Sequence, residues 1–504
     1  MHQPDSLSSA SAALSLPVPL LNRILRAAQY LIRGTFQVGI KLTVALLILL
    51  TFWGIVSHSI SAHAQAFTIS PSNKVLAGNP ISITLTGLPR EADVTIVAER
   101  AVSEWSMPDN QYKRYRSEAT FRTDAAGVID LATAKPRKGS SYKAADVRGL
   151  IWSMNPTADP VPLDWKAGQV RFTARVGETV AATVMLELLR ELPEVKTEKV
   201  DQFDGAVFAM LPAKPGEKHP AVILLGGSEG GSMVTRGAAQ MASHGFAVLA
   251  LPYYSPPAWP SQKAEIPTLP ASFVDIPIER LNAARDWLKK RADVDASKIA
   301  IHGTSKGAEF ALLAATYLGW PTAIVAVVPT DVVWEGWGQG VDAGKRASFA
   351  VNGKPFPFVP YKEFGEEFAG FQTGDDVRIR RPQDKGRAAN PAAAAAARIP
   401  IERYAGAVAV VGGQEDQVWN SAMMSHNIAE RRAEAKVNNP KAGETLSLIY
   451  VDAGHYLGGT GFQPTTQYDV GPNKGGGTPE GNARAQADQW PKVIDFLKRN
   501  LGVK

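Results

Sequence analysis

One serine in this chain lies in a sequence context that suits a nucleophile. Ser305 is the centre of Gly303-Thr304-Ser305-Lys306-Gly307, which follows a β-forming run, Lys298 to His302, and precedes an alanine- and leucine-rich helical run. In this G-x-S-x-G arrangement a tight strand-to-helix turn exposes the serine hydroxyl above the sheet, and the glycines let strand and helix approach closely. The helix N-terminus beneath the hydroxyl favours negative charge. The pattern therefore predicts that Ser305 attacks an electrophilic carbon.

A second G-x-S-x-G match, Gly226 to Gly230, also follows an apolar strand, Ala221 to Leu225. The residues that come next, GSM, are a poor start for a helix, so this match lacks the context of a nucleophile turn. We interpret it as a glycine loop that donates a backbone N–H to an oxyanion, from Gly227 or Ser228, together with the N–H of Lys306. Removing one such donor typically costs about 3 kcal/mol in the transition state.

A serine hydroxyl needs a general base, normally an imidazole that a carboxylate orients. Outside the leader described below, the other histidines precede strands or lie inside strands and helices: His219, His244, His302 and His426. Only His455 directly follows the last predicted strand, at the carboxyl edge where parallel sheets bind ligands. We predict that His455 is the general base; the alternative is an ordinary loop histidine.

The orienting carboxylate should follow the preceding strand, where two adjacent acids stand, Glu415 and Asp416. Spacing alone leaves both acids open as candidates. With Asp416 the chain order is Ser305, Asp416, His455, which is the order of α/β-hydrolases.

Composition excludes several other kinds of chemistry. The 504 residues contain no cysteine, so disulfides, thiolate metal sites, a cysteine nucleophile and a lipid anchor on cysteine are excluded. The formal charge of +6 includes four basic residues and one acidic residue of the first 66, so the remaining excess is small and gives no indication of nucleic-acid binding. No metal-ligand cluster stands out, and the predicted chemistry needs no cofactor.

Residues 1–66 have the pattern of a signal-like leader. Lys41 introduces the apolar run Leu42 to Val56, which is shorter than the ~20 residues of a spanning helix. The A-x-A pattern at Ala64 to Ala66 predicts cleavage before Phe67 and export to the periplasm or the medium. The alternative is an uncleaved N-terminal segment that anchors the protein in a membrane; membrane association is expected through this leader only.

Two patterns follow the leader. Residues 67–195 show period-two alternation, for example at Ile81 to Thr86, Val94 to Val97 and Val170 to Ala174, with turn residues between the runs. This predicts an antiparallel β-sandwich that shapes the site without performing chemistry.

From residue 196 to 504 strands alternate with helices, which predicts a mostly parallel sheet covered on both faces. The segment from about residue 338 to 390 has the character of an insertion over the site. The predicted strands are Ala206 to Leu211, Ala221 to Leu225, Phe246 to Leu251, Lys298 to His302, Ala323 to Val328, Ala407 to Val411 and Leu446 to Val451. The predicted helices include Glu279 to Arg291, Ala392 to Ala397 and one from about Trp490 to Leu501.

Several stretches together resemble the family of acyl-CoA thioesterases and bile acid-CoA:amino acid N-acyltransferases. They are Tyr115 to Leu131, Gly149 to Pro156, Gly245 to Tyr254, the SKGAE that begins at Ser305, Ile399 to Arg403, the GQEDQVW that begins at Gly413, and the GHY that begins at Gly454. The resemblance covers nearly the whole chain after the leader.

The resemblance implies an N-terminal β-sandwich and a C-terminal α/β-hydrolase domain. It implies that the acid is the second of the two acidic positions after Gly-Gln, which is Asp416. The family's nucleophile is serine in thioesterases and cysteine in the transferases, so Ser305 favours hydrolysis of a small-molecule acyl thioester over amide formation.

The sequence departs from the family in two respects. The glycine loop reads GGSEGG where mammalian members have a run of glycines, which leaves the oxyanion donor of this loop open. An exported protein would not meet CoA thioesters, which keeps other functions open. Alternatives are an exported carboxylesterase or amidase with the same triad, an acyltransferase to an amine, and a non-catalytic binding protein that retains the fold.

Overall fold

The fold contains mainly antiparallel sheets up to about residue 190 and a mixed, mostly parallel sheet after it. The computed structural model describes residues 64–103, 111–258 and 263–503. The predicted leader, including its apolar run Leu42 to Val56, lies outside these residues except for its last few positions. Among the helices of the described ranges, none is both long enough and apolar enough to cross a membrane.

The strands before residue 190 form a three-stranded sheet, in the order β1-β3-β6, and a six-stranded sheet, in the order β2-β9-β8-β4-β5-β7. All neighbours are antiparallel except β2 and β9, which are parallel. The strands are β1 (Ala66–Ser70), β2 (Lys74–Leu76), β3 (Ser82–Thr86), β4 (Asp93–Val102), β5 (Lys113–Arg122), β6 (Ile129–Asp130), β7 (Asn155–Pro156), β8 (Gln169–Val176) and β9 (Thr179–Leu189).

These two sheets share one hydrophobic core. Burial alternates along β5, as expected where successive side chains of a strand point to opposite faces. Ile83 and Leu85 of β3 belong to the same cluster as Phe121 of β5 and Phe172 of β8, and the short helix α1 (Gly149–Trp152) also contributes to it. The period-two pattern in the sequence therefore corresponds to sheets that bury one face in this core.

An eight-stranded mixed sheet follows, in the order β10-β11-β13-β12-β17-β18-β21-β22. β10 and β11 are antiparallel to their neighbours, and the strands from β13 to β22 pair in parallel. Its strands are β10 (Lys196–Lys199), β11 (Val207–Met210), β12 (His219–Leu225), β13 (Ala247–Ala250), β17 (Val294–Thr304), β18 (Ala323–Val327), β21 (Ala407–Gly413) and β22 (Thr445–Tyr450). Short strands outside this sheet are β14 (Pro257–Ala258), β15 (Lys263–Ala264), β16 (Ile276–Pro277), β19 (Phe349–Val351) and β20 (Lys354–Pro355).

Helices connect the parallel strands. They are α2 (Ala238–Ala242), α3 (Arg280–Lys289), α4 (Lys306–Leu318), α5 (Phe364–Phe368), α6 (Gly370–Thr373), α7 (Arg380–Ala389), α8 (Pro391–Ala396), α9 (Ser421–Asn438) and α10 (Pro479–Leu501), with short 3₁₀ turns at Met233–Gly237 and Ile401–Arg403. The segment predicted as an insertion, about residues 338–390, contains β19, β20 and α5 to α7.

The central strands are buried on both faces. Every residue of β12, β18 and β21 is buried. Two separate hydrophobic cores contact this sheet. In β17, Ile299 and Ile301 belong to one of them, and Ala300, which lies between them in sequence, belongs to the other. Continuous burial of this kind is typical of parallel strands covered by helices on both sides. It explains why these strands were visible in the sequence as short apolar runs.

The structure differs from the sequence prediction at the margins of the sheet. All four residues of β10, KTEK, are exposed, so no apolar alternation marked this edge strand. His219, predicted to precede a strand, is the first residue of β12, where it pairs with Val294 of β17. The closing helix α10 begins at Pro479, well before the predicted Trp490, because Thr478 caps it by accepting a hydrogen bond from Gly481 N–H.

The amino-terminal sheets contact the segment between β22 and α10. Arg100 Nη1 of β4 donates a hydrogen bond to the Phe462 carbonyl at 2.8 Å, and Thr465 N–H donates to the Trp152 carbonyl at 3.1 Å. Phe462 also belongs to the core that the two sheets share. His455 lies in the same segment, so the amino-terminal sheets help to hold the chain that carries it.

Candidate active site

The backbone turns sharply at Ser305, between the end of β17 and the first residue of α4. Ser305 has φ 57° and ψ −120°, a left-handed conformation that is strained for a residue with a side chain. Its N–H donates to the Val327 carbonyl of β18 at 2.9 Å, and its carbonyl accepts from Ala308 N–H at 2.9 Å. The strain is therefore held by backbone hydrogen bonds on both sides.

The two glycines of the turn are required by close backbone contacts. A Cβ on Gly303 would lie 2.0 Å from the Gly307 carbonyl oxygen, and a Cβ on Gly307 would lie 2.4 Å from the Gly226 carbonyl oxygen. No side chain fits at either position unless the backbone moves. The turn thus packs against the glycine loop after β12, which brings that loop to Ser305.

A continuous hydrogen-bonded chain joins Ser305, His455 and Asp416. His455 Nε2 lies 2.9 Å from Ser305 Oγ, and His455 Nδ1 lies 2.9 Å and 3.1 Å from the two carboxylate oxygens of Asp416. Asp416 has no exposed surface, and Ser305 and His455 are only 8% and 9% exposed. The three residues follow the carboxyl ends of β17, β21 and β22, so the sheet brings together positions far apart in sequence.

The structure distinguishes between the two adjacent acids. Glu415 is exposed, whereas Asp416 turns inward. Asp416 Oδ1 also accepts hydrogen bonds from the N–H groups of Val418 and Trp419, at 2.9 Å and 3.1 Å. These bonds hold the carboxylate in one orientation towards the imidazole.

The imidazole is held from two sides. The backbone N–H of His455 donates a hydrogen bond to the Gly475 carbonyl at 2.9 Å. The imidazole ring packs edge-on against Trp419, with 5.6 Å between the ring centroids. The neighbouring Gly454 N–H donates to Asn482 Oδ1 at 2.8 Å, which ties the loop to α10. Backbone contacts thus set the position of the ring.

The other histidines occupy structural positions. His219 Nδ1 lies 3.2 Å from the Gly245 carbonyl, His244 packs against Trp490, and His426 is exposed on α9. His302 lies within β17, and burial lowers its pKa to about 4. None of these contacts leads to Ser305.

The proposed oxyanion donors lie near Ser305 but differ in their surroundings. Lys306 is the first residue of α4, and N–H groups of a first helical turn have no acceptor within the helix. Gly227 lies against the serine, since a Cβ on it would be 3.1 Å from Ser305 Cβ. Its N–H, however, donates to Glu229 Oε1 at 2.8 Å, and Ser228 is exposed. The sequence did not indicate this use of the Gly227 N–H.

A buried ion pair beside Ser305 was also missed. Lys306 Nζ lies 2.5 Å from Glu309 Oε2 and donates to Ser348 Oγ at 2.8 Å, and Glu309 Oε1 accepts from Trp334 N–H at 3.2 Å. Burial lowers the pKa of Lys306 and raises that of Glu309, while their mutual attraction opposes both shifts. The pair ties α4 to the segment before β19. Its i, i+3 spacing in SKGAE was the available signal.

The inserted segment reaches the carboxylate loop. Arg380 at the start of α7 donates to the Asp416 carbonyl at 3.0 Å, and its own N–H donates to the Gln417 carbonyl at 2.9 Å. Arg387 of the same helix forms a two-pronged pair with Asp331, at 2.6 Å and 3.1 Å. Within the described ranges, no group of three or more His, Asp and Glu side chains could hold a metal ion.

A mixed eight-stranded sheet with a serine at a strand-to-helix turn defines the protein as an α/β-hydrolase. Residues 276–503 match the family described as "BAAT / Acyl-CoA thioester hydrolase C terminal", and residues 78–202 match "Acyl-CoA thioester hydrolase/BAAT N-terminal region". Residues 206–331 match the dienelactone hydrolase family. The chain belongs to the acyl-CoA thioesterase and bile acid-CoA:amino acid N-acyltransferase family, and it is a thioester or ester hydrolase.

Relatives match most of the chain. Acyl-coenzyme A thioesterase 1 of Rattus norvegicus is 27% identical over 460 residues, covering 87% of this chain and 97% of its own. The peroxisomal succinyl-coenzyme A thioesterase of Mus musculus is 26% identical, with the same coverage. Among solved structures, a putative dienelactone hydrolase from Klebsiella pneumoniae has 14% identity and a TM-score of 0.35, covering 60% of this chain and 99% of its own. An esterase from Pyrococcus furiosus has 15% identity and a TM-score of 0.34, covering 61% of this chain and 91% of its own.

Substituting Gly307 with alanine should disrupt the turn, because the new Cβ would lie 2.4 Å from the Gly226 carbonyl oxygen. We expect a loss of several °C in Tm and of most esterase activity. The matched control is Gly365→Ala in α5, where no heavy atom lies within 4 Å of the added Cβ, so stability should be unchanged or up to about 1 kcal/mol higher. Thermal unfolding and initial rates would measure both, and a fully active Gly307→Ala would contradict the packing argument.

Asp416→Asn should leave the fold intact and lower kcat by about 10⁴-fold, because an amide cannot hold the imidazole in the required tautomer or stabilise its charged form. The exposed neighbour provides the control, and Glu415→Gln should retain activity. Steady-state rates on an aryl ester would compare the two variants. A large loss in Glu415→Gln with a small one in Asp416→Asn would assign the role to the other acid.

Proposed function

We propose that the protein cleaves acyl thioesters to a free acid and a thiol through a Ser305, His455, Asp416 triad and an acyl-enzyme. The observation that carries this proposal is the pair of 2.9 Å contacts, from Ser305 Oγ to His455 Nε2 and from His455 Nδ1 to Asp416. Membership of the thioesterase family supports the substrate class.

In this mechanism His455 Nε2 takes the hydroxyl proton as Ser305 Oγ attacks the acyl carbon. Asp416 orients the ring through Nδ1 and stabilises the imidazolium that forms. The oxyanion is bound by the N–H of Lys306 and by a second N–H from the glycine loop, at Gly227 or Ser228. His455 then protonates the leaving thiol, and a water molecule that it activates releases the acid.

Two features of the structure suit this chemistry. The triad residues are nearly buried, so their hydrogen bonds compete with little water. The strained backbone at Ser305 is the conformation in which a serine at a strand-to-helix turn presents its hydroxyl above the sheet. Serine in place of cysteine supports hydrolysis over transfer to an amine.

Ser305→Ala should abolish turnover, by about 10⁶-fold in kcat, without a change in Tm. The assay should compare acyl-CoA, aryl ester and amide substrates on the purified protein. His455→Gln should behave similarly, whereas His426→Gln, on the exposed face of α9, is the matched control. Labelling of Ser305 by a fluorophosphonate is expected. An unlabelled, correctly folded protein would favour the non-catalytic binding function instead.

A second candidate is an exported carboxylesterase or amidase with the same triad. The observation that favours it is the signal-like sequence pattern of residues 1–66, because an exported enzyme would not meet CoA thioesters. We propose export, after which the mature chain comprises an amino-terminal β-sandwich, supported by the core that its two sheets share, and the hydrolase domain.

Export predicts that the mature protein begins at Phe67, directly after the A-x-A pattern at Ala64 to Ala66. N-terminal sequencing of protein from the periplasm or the culture medium would test it. Full-length chains that begin at Met1 and sediment with the membrane fraction would show an anchor, and full-length chains in the cytosol would restore CoA thioesters as natural substrates.

A further inference from the structure

Glu229 lies in the glycine loop, and its carboxylate turns back towards the nucleophile. Its Oε1 accepts the Gly227 N–H at 2.8 Å. A Cβ on Gly227 would lie 2.7 Å from Glu229 Oε2 and 3.1 Å from Ser305 Cβ. The carboxylate and the serine side chain therefore flank the same backbone position, and the carboxylate holds one of the two N–H groups proposed as the second oxyanion donor.

The backbone of this loop is anchored independently of Glu229. Tyr253 Oη donates to the Gly226 carbonyl at 2.8 Å, and Gly231 N–H donates to the Tyr254 carbonyl at 2.9 Å. Ser232 N–H donates to Glu265 at 3.0 Å. The Glu229 side chain can therefore leave while the loop keeps its shape, and because the residue is exposed, the side chain can turn out into solvent.

The surroundings of the carboxylate connect its charge to the site. Loss of hydration raises the pKa of Glu229, and the opposing influences are its bonds from the N–H groups of Glu229 and Gly227 and its attraction to His455. Burial raises the pKa of Tyr253, and the negative charge of Glu229 raises it further. Glu265 is the further acid at the end of the loop.

We propose that Glu229 is a specificity-determining residue that closes the oxyanion site of the resting enzyme by holding the Gly227 N–H. The inference rests on the proposed function. A developing oxyanion at Ser305 would meet a second negative charge and an occupied donor, so the carboxylate must leave or be neutralised before the acyl oxygen can bind. A substrate with a large acyl or leaving group has binding energy to drive this displacement, whereas a small activated ester does not.

The test uses the full chain and 4-nitrophenyl acetate as a small substrate. Glu229→Ala removes the occupant and should raise kcat/KM about tenfold near pH 8. Glu229→Gln keeps the shape and a neutral acceptor, so its rate should lie between those of Glu229→Ala and the wild type. The ratio of Glu229→Ala to wild type should rise with pH as the wild-type carboxylate ionises. Glu178→Ala, on an exposed turn of the amino-terminal sheets, is the control for loss of a carboxylate.

Several results would overturn the proposal. A loss of activity in both variants would mean that Glu229 assists the reaction, a loss in Glu229→Ala alone would mean that it only supports the loop, and a ratio independent of pH would mean that its charge is not the barrier. Active-site titration with a fluorophosphonate separates this proposal from the proposed function. Labelled variants with unchanged rates refute only the role of Glu229, whereas an unlabelled wild type refutes the serine mechanism and this inference with it.

Discussion

The close approach of three backbone segments, at Gly303, Gly307 and Gly226, is the constraint on which the site depends. Contacts of 2.0 Å and 2.4 Å to the positions of missing Cβ atoms leave no room for side chains. The chain must therefore turn at Ser305 in a left-handed conformation, at a cost on the order of 1–3 kcal/mol. Because this turn sets the direction of the hydroxyl, the distance from Ser305 to His455 follows from backbone packing, and the same packing brings the glycine loop to the nucleophile.

The other two members of the hydrogen-bonded chain are also held mainly by backbone groups. Asp416 is oriented by the N–H groups of Val418 and Trp419, and His455 by the Gly475 carbonyl. The segment that carries His455 continues into Phe462, which packs into the amino-terminal core. The site thus draws on both parts of the fold although its chemistry resides in one, which gives a physical reason for the two parts to occur together in this family.

The predictable parts of the site were those with local sequence signals. The turn at Ser305 is visible because strand, glycines and helix are contiguous, and His455 because it directly follows a strand. The choice of Asp416 over Glu415 depends on which way a short loop turns, which spacing alone does not determine. The strand β10 was not predicted because none of its four residues, KTEK, is buried. The buried Lys306–Glu309 ion pair was not predicted because charged residues at helical spacing usually indicate a solvent-exposed helix face. Glu229 lies in a polar, glycine-rich loop, and nothing in that sequence indicates that its carboxylate accepts the Gly227 N–H.

Membership of a thioesterase family and the proposed export are compatible at the level of the chemistry. In the proposed mechanism the hydrogen-bonded chain acts on the acyl carbon and its oxygen, which thioesters and oxygen esters share, and the two substrates differ in the leaving atom. A thiolate leaves readily, whereas an alcohol needs a proton as it departs, and His455 Nε2, 2.9 Å from Ser305 Oγ, is positioned to give one in either case. The proposed reaction is therefore acyl transfer through Ser305 with either kind of substrate, and the choice of leaving group depends on contacts outside this hydrogen-bonded chain.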